Sequence, residues 1–301
     1  GRPLISVALE GQAPEWAAVE VSSFQLHDTP HLDPVIGVVT NLAPDHLDRY
    51  ASLDEYYADK ALLFRNASER SRWVTNGDDP DAAKLAGGRP GAHERFSVAV
   101  RFADAWYDRA AGWLVVRGMP LIRRTDLHLL GDHNVGNALA AALSLPPETD
   151  RGRVAAGLQA FRALAHRLEL VREVNGVLWI NDSKSTTVAS TLAAVNSVDR
   201  PVVLLLGGKD KGGNFAQLAE ALRTSRGVIA YGDAGERVEG ELKGRVALVR
   251  EGHDFAAVIA RARALARAGD AVVLSPACAS FDMFASAEDR GRQFRALVEA
   301  L

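Results

Sequence analysis

The sequence predicts an α/β fold built on parallel, helix-covered sheet. Two observations point there. Short β-branched apolar runs are bounded by glycine, proline or aspartate, and longer amphipathic stretches separate them. Near the amino end, "WAAVEV" (16–21) and "VIGVVT" (35–40) read as buried strands. Ser52 and Glu55 have the spacing of a capping box, so a helix is expected from about residue 53, with Leu53, Tyr56, Leu63 and Phe64 as its apolar stripe. The segment 72–130 differs: "RWVTNG", "HERFSVAV", "AWYDRAAGWLVVRG" and "DLHLL" suggest short strands and hairpins, leading into a helix near 134–145. A boundary is expected near Ala163, dividing the chain into 1–163 and 164–301. Beyond it, "PVVLLLGG" (201–208), "GVIAYG" (227–232) and "AVVLSP" (271–276) read as buried strands. Helices are expected near 187–197, 214–224, 254–268 and 287–300.

A chain of 301 residues, 48% of them hydrophobic, is long enough for about two domains. Its net charge of -3 gives no electrostatic reason to expect nucleic acid. The single cysteine, Cys278, has no partner for an internal disulfide, and no apolar run nears the roughly 20 residues that span a bilayer. A cytoplasmic protein without membrane insertion is the default. The first residue is Gly1 and the only methionines are Met119 and Met283, so the sequence reads as a piece of a longer one.

In the first half, "TNLAPDHLDRY" (40–50) follows a strand, where ligands of open α/β sheets bind. Asp45, His46 and Asp48 suit a divalent cation, or form a solvated turn. Lys60 falls within an apolar helical stripe, where it either snorkels to water or is held inward for chemistry. Glu20 lies inside an apolar run, which calls for an ion pair or a metal.

In the second half, "AHRLE" (165–169), "NDSKSTT" (181–187) and "GGKDKGGNF" (207–215) are expected to converge, with "LSPACASFD" (274–282) as a fourth loop. Arg167, Lys184 and Lys211 together can hold anions, although each lysine alone is also an ordinary surface charge. Asp182 and Thr186 can add hydrogen bonds. "NDSKSTT" carries Lys-Ser-Thr as a phosphate loop does, but lacks the glycines that let backbone N–H groups approach phosphate.

Taken in order, "EVSSFQL", "TNLAPDHLDRY", "YYADK", "GDHNVGNALAA", "HRLE", "NDSKSTT", "LLLGGKDKGGNF" and "LSPACASFDMF…RGRQF" resemble the Mur ligase family, and within it the D-glutamate-adding members. The resemblance implies an incomplete central ATPase-type α/β domain followed by a Rossmann-like doubly wound C-terminal domain. It also implies an ATP-dependent amide ligase that joins D-glutamate to UDP-N-acetylmuramoyl-L-alanine through an acyl phosphate in peptidoglycan precursor synthesis, acting as a monomer.

Carried over by motif, Glu20 and His46 resemble magnesium ligands, and Lys60 the lysine that becomes carbamylated and supports the second of two Mg2+ sites. Asn134 and Asn137 match the pair near adenine, and Arg167 and Asp182 match residues that reach the nucleotide. Lys184 and Thr186 fall where the family closes on phosphate and product; Lys211, Ser280 and Phe281 fall where D-glutamate is held. His46, Lys60, Arg167 and Lys184 are the residues expected to matter most for turnover. In the family the phosphate loop opens the central domain, after a smaller domain that holds the uridine nucleotide. Both would precede Gly1, so the 301 residues alone are expected to be inactive or nearly so. The chain departs from the pattern at Ala287, where those members carry an aromatic residue. Two other readings stay open: a related ligase that extends folate with glutamate, and a non-catalytic nucleotide- or partner-binding module.

Overall fold

The computed structural model describes residues 4–11, 14–43, 49–101 and 103–301. The chain divides into two compact units, one comprising residues 1–121 and 136–150, the other 122–135 and 151–301. Two six-stranded sheets form the frame, and among the described residues no helix is long and apolar enough to cross a membrane.

The first sheet follows chain order: β1 (Ile36–Val39), β2 (Arg72–Asn76), β3 (Ala92–Ser97), β4 (Ala105–Asp108), β5 (Trp113–Val116) and β6 (Met119–Arg123). β1 to β4 pair in parallel, and β4 and β5 make the expected antiparallel hairpin. Short helices α1 (Leu4–Ala8), α2 (Ser23–Asp28), α3 (Leu53–Ala61) and α4 (Pro80–Ala86) precede or connect these strands. Asp79 caps α4, its carboxylate accepting from Asp81 and Ala82 N–H, with Pro80 at the first helical position. That signal stood in the sequence without being read as a helix. Val39, Phe64, Trp73, Ala82 and Ala86 form a core between strands and helices. Gly37 belongs to this packing, since a Cβ there would lie 2.5 Å from the Trp73 ring.

"WAAVEV" is not a strand; its backbone has no regular structure, and Trp16 and Val19 are exposed. A buried parallel strand needs ladders on its edges and cover on its faces, and this run has no ladder partner among the described residues. "DLHLL" likewise forms a short 3-10 turn and an unpaired stretch, leading into α5 (Asp132–Leu143) and then α6 (Arg151–Ala160).

The second sheet has the order β11-β10-β9-β12-β8-β7. β7 (Glu169–Val174) runs antiparallel to β8 (Val177–Asn181) at one edge. β9 (Val202–Gly207), β10 (Gly227–Tyr231), β11 (Leu248–Arg250) and β12 (Ala271–Leu274) are parallel to β8. Alternation along "VVLLL" explains the layering. Val202, Leu204 and Leu206 pack with residues of α7 (Val188–Asn196) and α8 (Gly235–Leu242), while Val203 and Leu205 pack with α9 (Phe255–Leu265) and α10 (Ala287–Glu299). Both faces are covered, which is why these strands read as continuous apolar runs. The helix expected at 214–224 is only a 3-10 turn at Phe215–Leu218 followed by turns. Asn214 and Glu241 side chains take its first N–H groups, yet Phe215, Leu218 and Leu222 are still buried.

β12 inserts between β8 and β9, so the loops after these three adjacent parallel strands leave the same carboxyl edge. This edge is where an open α/β sheet places its ligands.

Candidate functional site

In the first unit, Ser22 caps α2 in a reciprocal box with Gln25. Ser52 caps α3 by accepting from Glu55 N–H at 3.1 Å, whereas the Glu55 carboxylate takes the N–H of Ala51 rather than that of the cap itself. The Tyr50 hydroxyl lies 2.9 Å from Ser23 Oγ and 3.0 Å from Asp59 Oδ2, and α2 packs against α3. Lys60, on α3, is half-buried with its Nζ 5.5 Å from the Tyr56 ring centroid, a cation–π contact rather than full snorkelling. Glu20 is exposed, not the buried strand carboxylate expected from its apolar neighbours. His46, with Asp45 and Asp48, lies outside the described residues. Asn137 is exposed on α5.

In the second unit, Asn134 Nδ2 donates to Leu130 O at 2.8 Å, and the four expected loops do meet. Lys184 N–H donates to His166 O, Ala277 N–H to Ser185 O, and Gly207 N–H to Pro276 O. Lys209 and Ala279 exchange both backbone bonds, at 2.9 and 3.0 Å, as a one-residue antiparallel bridge. Gly208 makes this approach possible: with φ of +126°, its Cβ would sit 2.3 Å from Ala279 O.

Asp182 follows β8 and is buried. Its carboxylate accepts from Leu168 N–H at 3.1 Å and Ser275 Oγ at 2.9 Å, and Ser275 Oγ lies 3.1 Å from Thr191 Oγ1. Burial pushes its pKa above the ordinary carboxylate value, against hydrogen bonds from Ser185, Ser275 and Leu168 and the charge of Arg167. Asn181 Nδ2 donates to His166 Nδ1 at 2.9 Å, which leaves the ring proton on Nε2. Desolvation lowers the His166 pKa in spite of Glu169 and Glu288.

Arg167, Lys184 and Lys211 are all exposed at this edge. Lys184 pairs with Glu288 at 2.5 Å, and chiefly this bond holds the Glu288 carboxyl down to about 2. Thr186 is half-buried and Ser280 buried, while Phe281 stands 69% exposed. The lysine loop is fixed from α8 by Arg237, which pairs with Asp210 and donates to Gly213 O.

Sequence reasoning gave no role to Asn181, Ser183, Ser275, Thr191 or, most notably, Arg290, which opens the "RGRQF" motif and is fully buried. A signal existed for the last: Arg290, Phe294 and Val298 recur every four residues, placing a charge on the inward stripe of α10. Ala287, the departure from the family pattern, opens that helix and offers its carbonyl to Ser183 Oγ at 2.7 Å.

Two family models match the chain: the Mur ligase middle domain over residues 3–145, and the Mur ligase glutamate ligase domain over residues 166–278. The UDP-N-acetylmuramoylalanine–D-glutamate ligase of Geotalea uraniireducens (strain Rf4) is 38% identical over 306 residues, covering 100% of this chain and 67% of that protein. The enzyme of the same name from Aromatoleum aromaticum (strain DSM 19018 / LMG 30748 / EbN1) is 40% identical over 301 residues, with coverage of 96% and 63%. The chain thus spans about two thirds of the length of these relatives. Among solved structures, MurF from Acinetobacter baumannii matches with a TM-score of 0.66 at 16% identity, covering 92% of this chain and 62% of that one. The alanine ligase MurC from Thermotoga maritima matches with 0.64 at 18% identity, with coverage of 93% and 62%. At those identities the solved structures speak to the fold alone. The curated relatives go further, and with the two domain matches they establish that the chain belongs to the Mur ligase family.

Proposed function

We propose that the chain serves an ATP-dependent amide ligase that joins D-glutamate to UDP-N-acetylmuramoyl-L-alanine through an acyl phosphate, acting as a cytoplasmic monomer with its domain boundary near Ala163. The observation that carries this reading is the hydrogen-bonded meeting of four loops at one sheet edge, presenting exposed Arg167, Lys184 and Lys211 around buried Asp182 and Ser280. Three cations beside close-packed small residues suit phosphate and carboxylate groups.

In this reading Arg167 and Asp182 orient the nucleotide, with Asn134 and Asn137 near its base. Lys184 and Thr186 meet phosphate as Lys184 exchanges Glu288 for the ligand. Lys211, Ser280 and Phe281 hold D-glutamate. The exposed Phe281 ring has apolar area to lose on closing over a substrate, which would shield the acyl phosphate from water. Glu20, His46 and Lys60, the last as a carbamate, would hold two Mg2+ ions; the exposed Glu20 carboxylate and half-buried Lys60 amine are hard donors once the amine is carbamylated, and so fit that ion. Bound there, the metal would neutralise charge on ATP and on the developing acyl phosphate.

The test is phosphate release from ATP by a protein of the relatives' full length that contains these residues, given UDP-N-acetylmuramoyl-L-alanine. Release that requires D-glutamate, and is not supported by L-glutamate, is expected. Release that requires another amino acid instead overturns the substrate assignment.

A further inference from the structure

Arg290 is completely buried on the inner face of α10, and among the described residues it has no carboxylate within ion-pair distance. Its guanidinium is bonded almost wholly to backbone. Nη2 donates to Ser183 O at 2.9 Å and Cys278 O at 3.2 Å, Nη1 to Cys278 O at 3.2 Å and Ala279 O at 3.3 Å, and Nε to Ser183 Oγ at 2.9 Å. One side chain therefore ties the loop after β8 to the loop after β12. Ser183 Oγ passes the tie on to the start of α10 by donating to Ala287 O. The next residue, Gly291, has no room for a Cβ, which would lie 2.2 Å from His166 Nδ1, so α10 is seated against the 165–169 loop as well.

A buried cation satisfied by carbonyls is an unusual choice where apolar residues would pack as well, because its desolvation is costly. A rigid fork of five donors is, however, the side chain best able to fix several carbonyls at once. The geometry has a directional consequence. A trans peptide that gives Ala279 O to Arg290 turns the Ser280 N–H to the opposite side, where it bonds to no described residue.

We infer that Arg290 is a positioning residue for the acceptor amino acid, holding the 274–282 loop against the 181–187 loop so that Ser280 is turned toward a carboxylate of D-glutamate. The inference rests on the functional reading above. It assigns Arg290 no contact with substrate; its effect passes through the two backbones it fixes.

Full-length protein carrying Arg290→Lys, and separately Ser183→Ala, is assayed for phosphate release with D-glutamate and ATP varied in turn. Lysine retains the charge but cannot span the two loops, and alanine removes only the Nε bond and the link to Ala287. The expected result is a KM for D-glutamate raised roughly tenfold in Arg290→Lys and in the same direction, by less, in Ser183→Ala, with the KM for ATP within roughly twofold of the parent. A purely structural arginine would lower the melting temperature without separating the two KM values. Should Arg290→Lys fail to fold, Ser183→Ala decides alone. A parent that releases phosphate with D-glutamate, beside folded variants whose KM for it is unchanged, overturns the inference alone. A parent with no such release overturns the functional reading and the inference with it.

Discussion

At Asp182, burial works against the charge, and desolvation outweighs the donors from Leu168, Ser275 and Ser185. Its folded pKa is raised above the unfolded value. The stability this group contributes is therefore fully present below the unfolded carboxyl's pKa and is lost as pH rises through the folded one. Asp182→Asn removes that titration while keeping the shape. The variant is expected to gain stability relative to the parent between about pH 4 and pH 7, read from urea midpoints at both values, although ligase activity falls. A stability difference that stays constant with pH would remove the argument. The identity of Asp182 as a site candidate was legible from its place after a strand; its protonation balance was not. That balance depends on Ser275, 93 positions away, and on a backbone N–H from a different loop.

Among the elements, α10 and the β12 edge show how side-chain charge is managed once strands are buried on both faces. Arg226, just before β10, grips Asp270, just before β12, through bonds of 2.7 and 3.0 Å, and Asp270 is 1% exposed. Arg226 first, with the Arg267 N–H and its charge, holds the Asp270 carboxyl below the usual range against the opposing effect of burial. Arg226→Ala leaves that carboxylate with one backbone donor and is expected to lower stability near neutral pH. The pair's contribution is present above the unfolded carboxyl's pKa and disappears as pH falls through the folded one, so the deficit of the variant should shrink below about pH 4. Urea unfolding at neutral and acidic pH checks both statements, and an equal deficit at each pH would refute the second. Strands β9, β10 and β12 were legible because both faces are apolar. The 16–21 run is also largely apolar yet forms no strand, because an apolar run becomes one only where a ladder partner exists. Conversely α8 went unread, its polar face and two glycines masking the buried positions Val238 and Leu242.

Over the whole molecule, two sheets with separate cores account for the two family matches. The link between α6 and β7 carries exposed Phe161 and Leu164 and belongs to neither sheet. Limited proteolysis should therefore cut first near Ala163, with mass spectrometry finding a piece that ends there and another that begins there. First cuts near 121–122, 135–136 or 150–151, where the chain passes between the compact units, would instead favour those boundaries.

The sequence by itself determined the α/β class, the apolar strands of the second sheet, the Ser52 cap of α3, and the family, because periodicity, capping chemistry and ordered motifs are local properties of the chain. Only the tertiary structure decided that Glu20 is exposed, that 16–21 forms no strand, that Lys184 is held by Glu288, and that a buried Arg290 joins two loops. Each of these depends on which groups distant in sequence arrive beside one another, and burial or pairing is a property of that meeting rather than of any one residue.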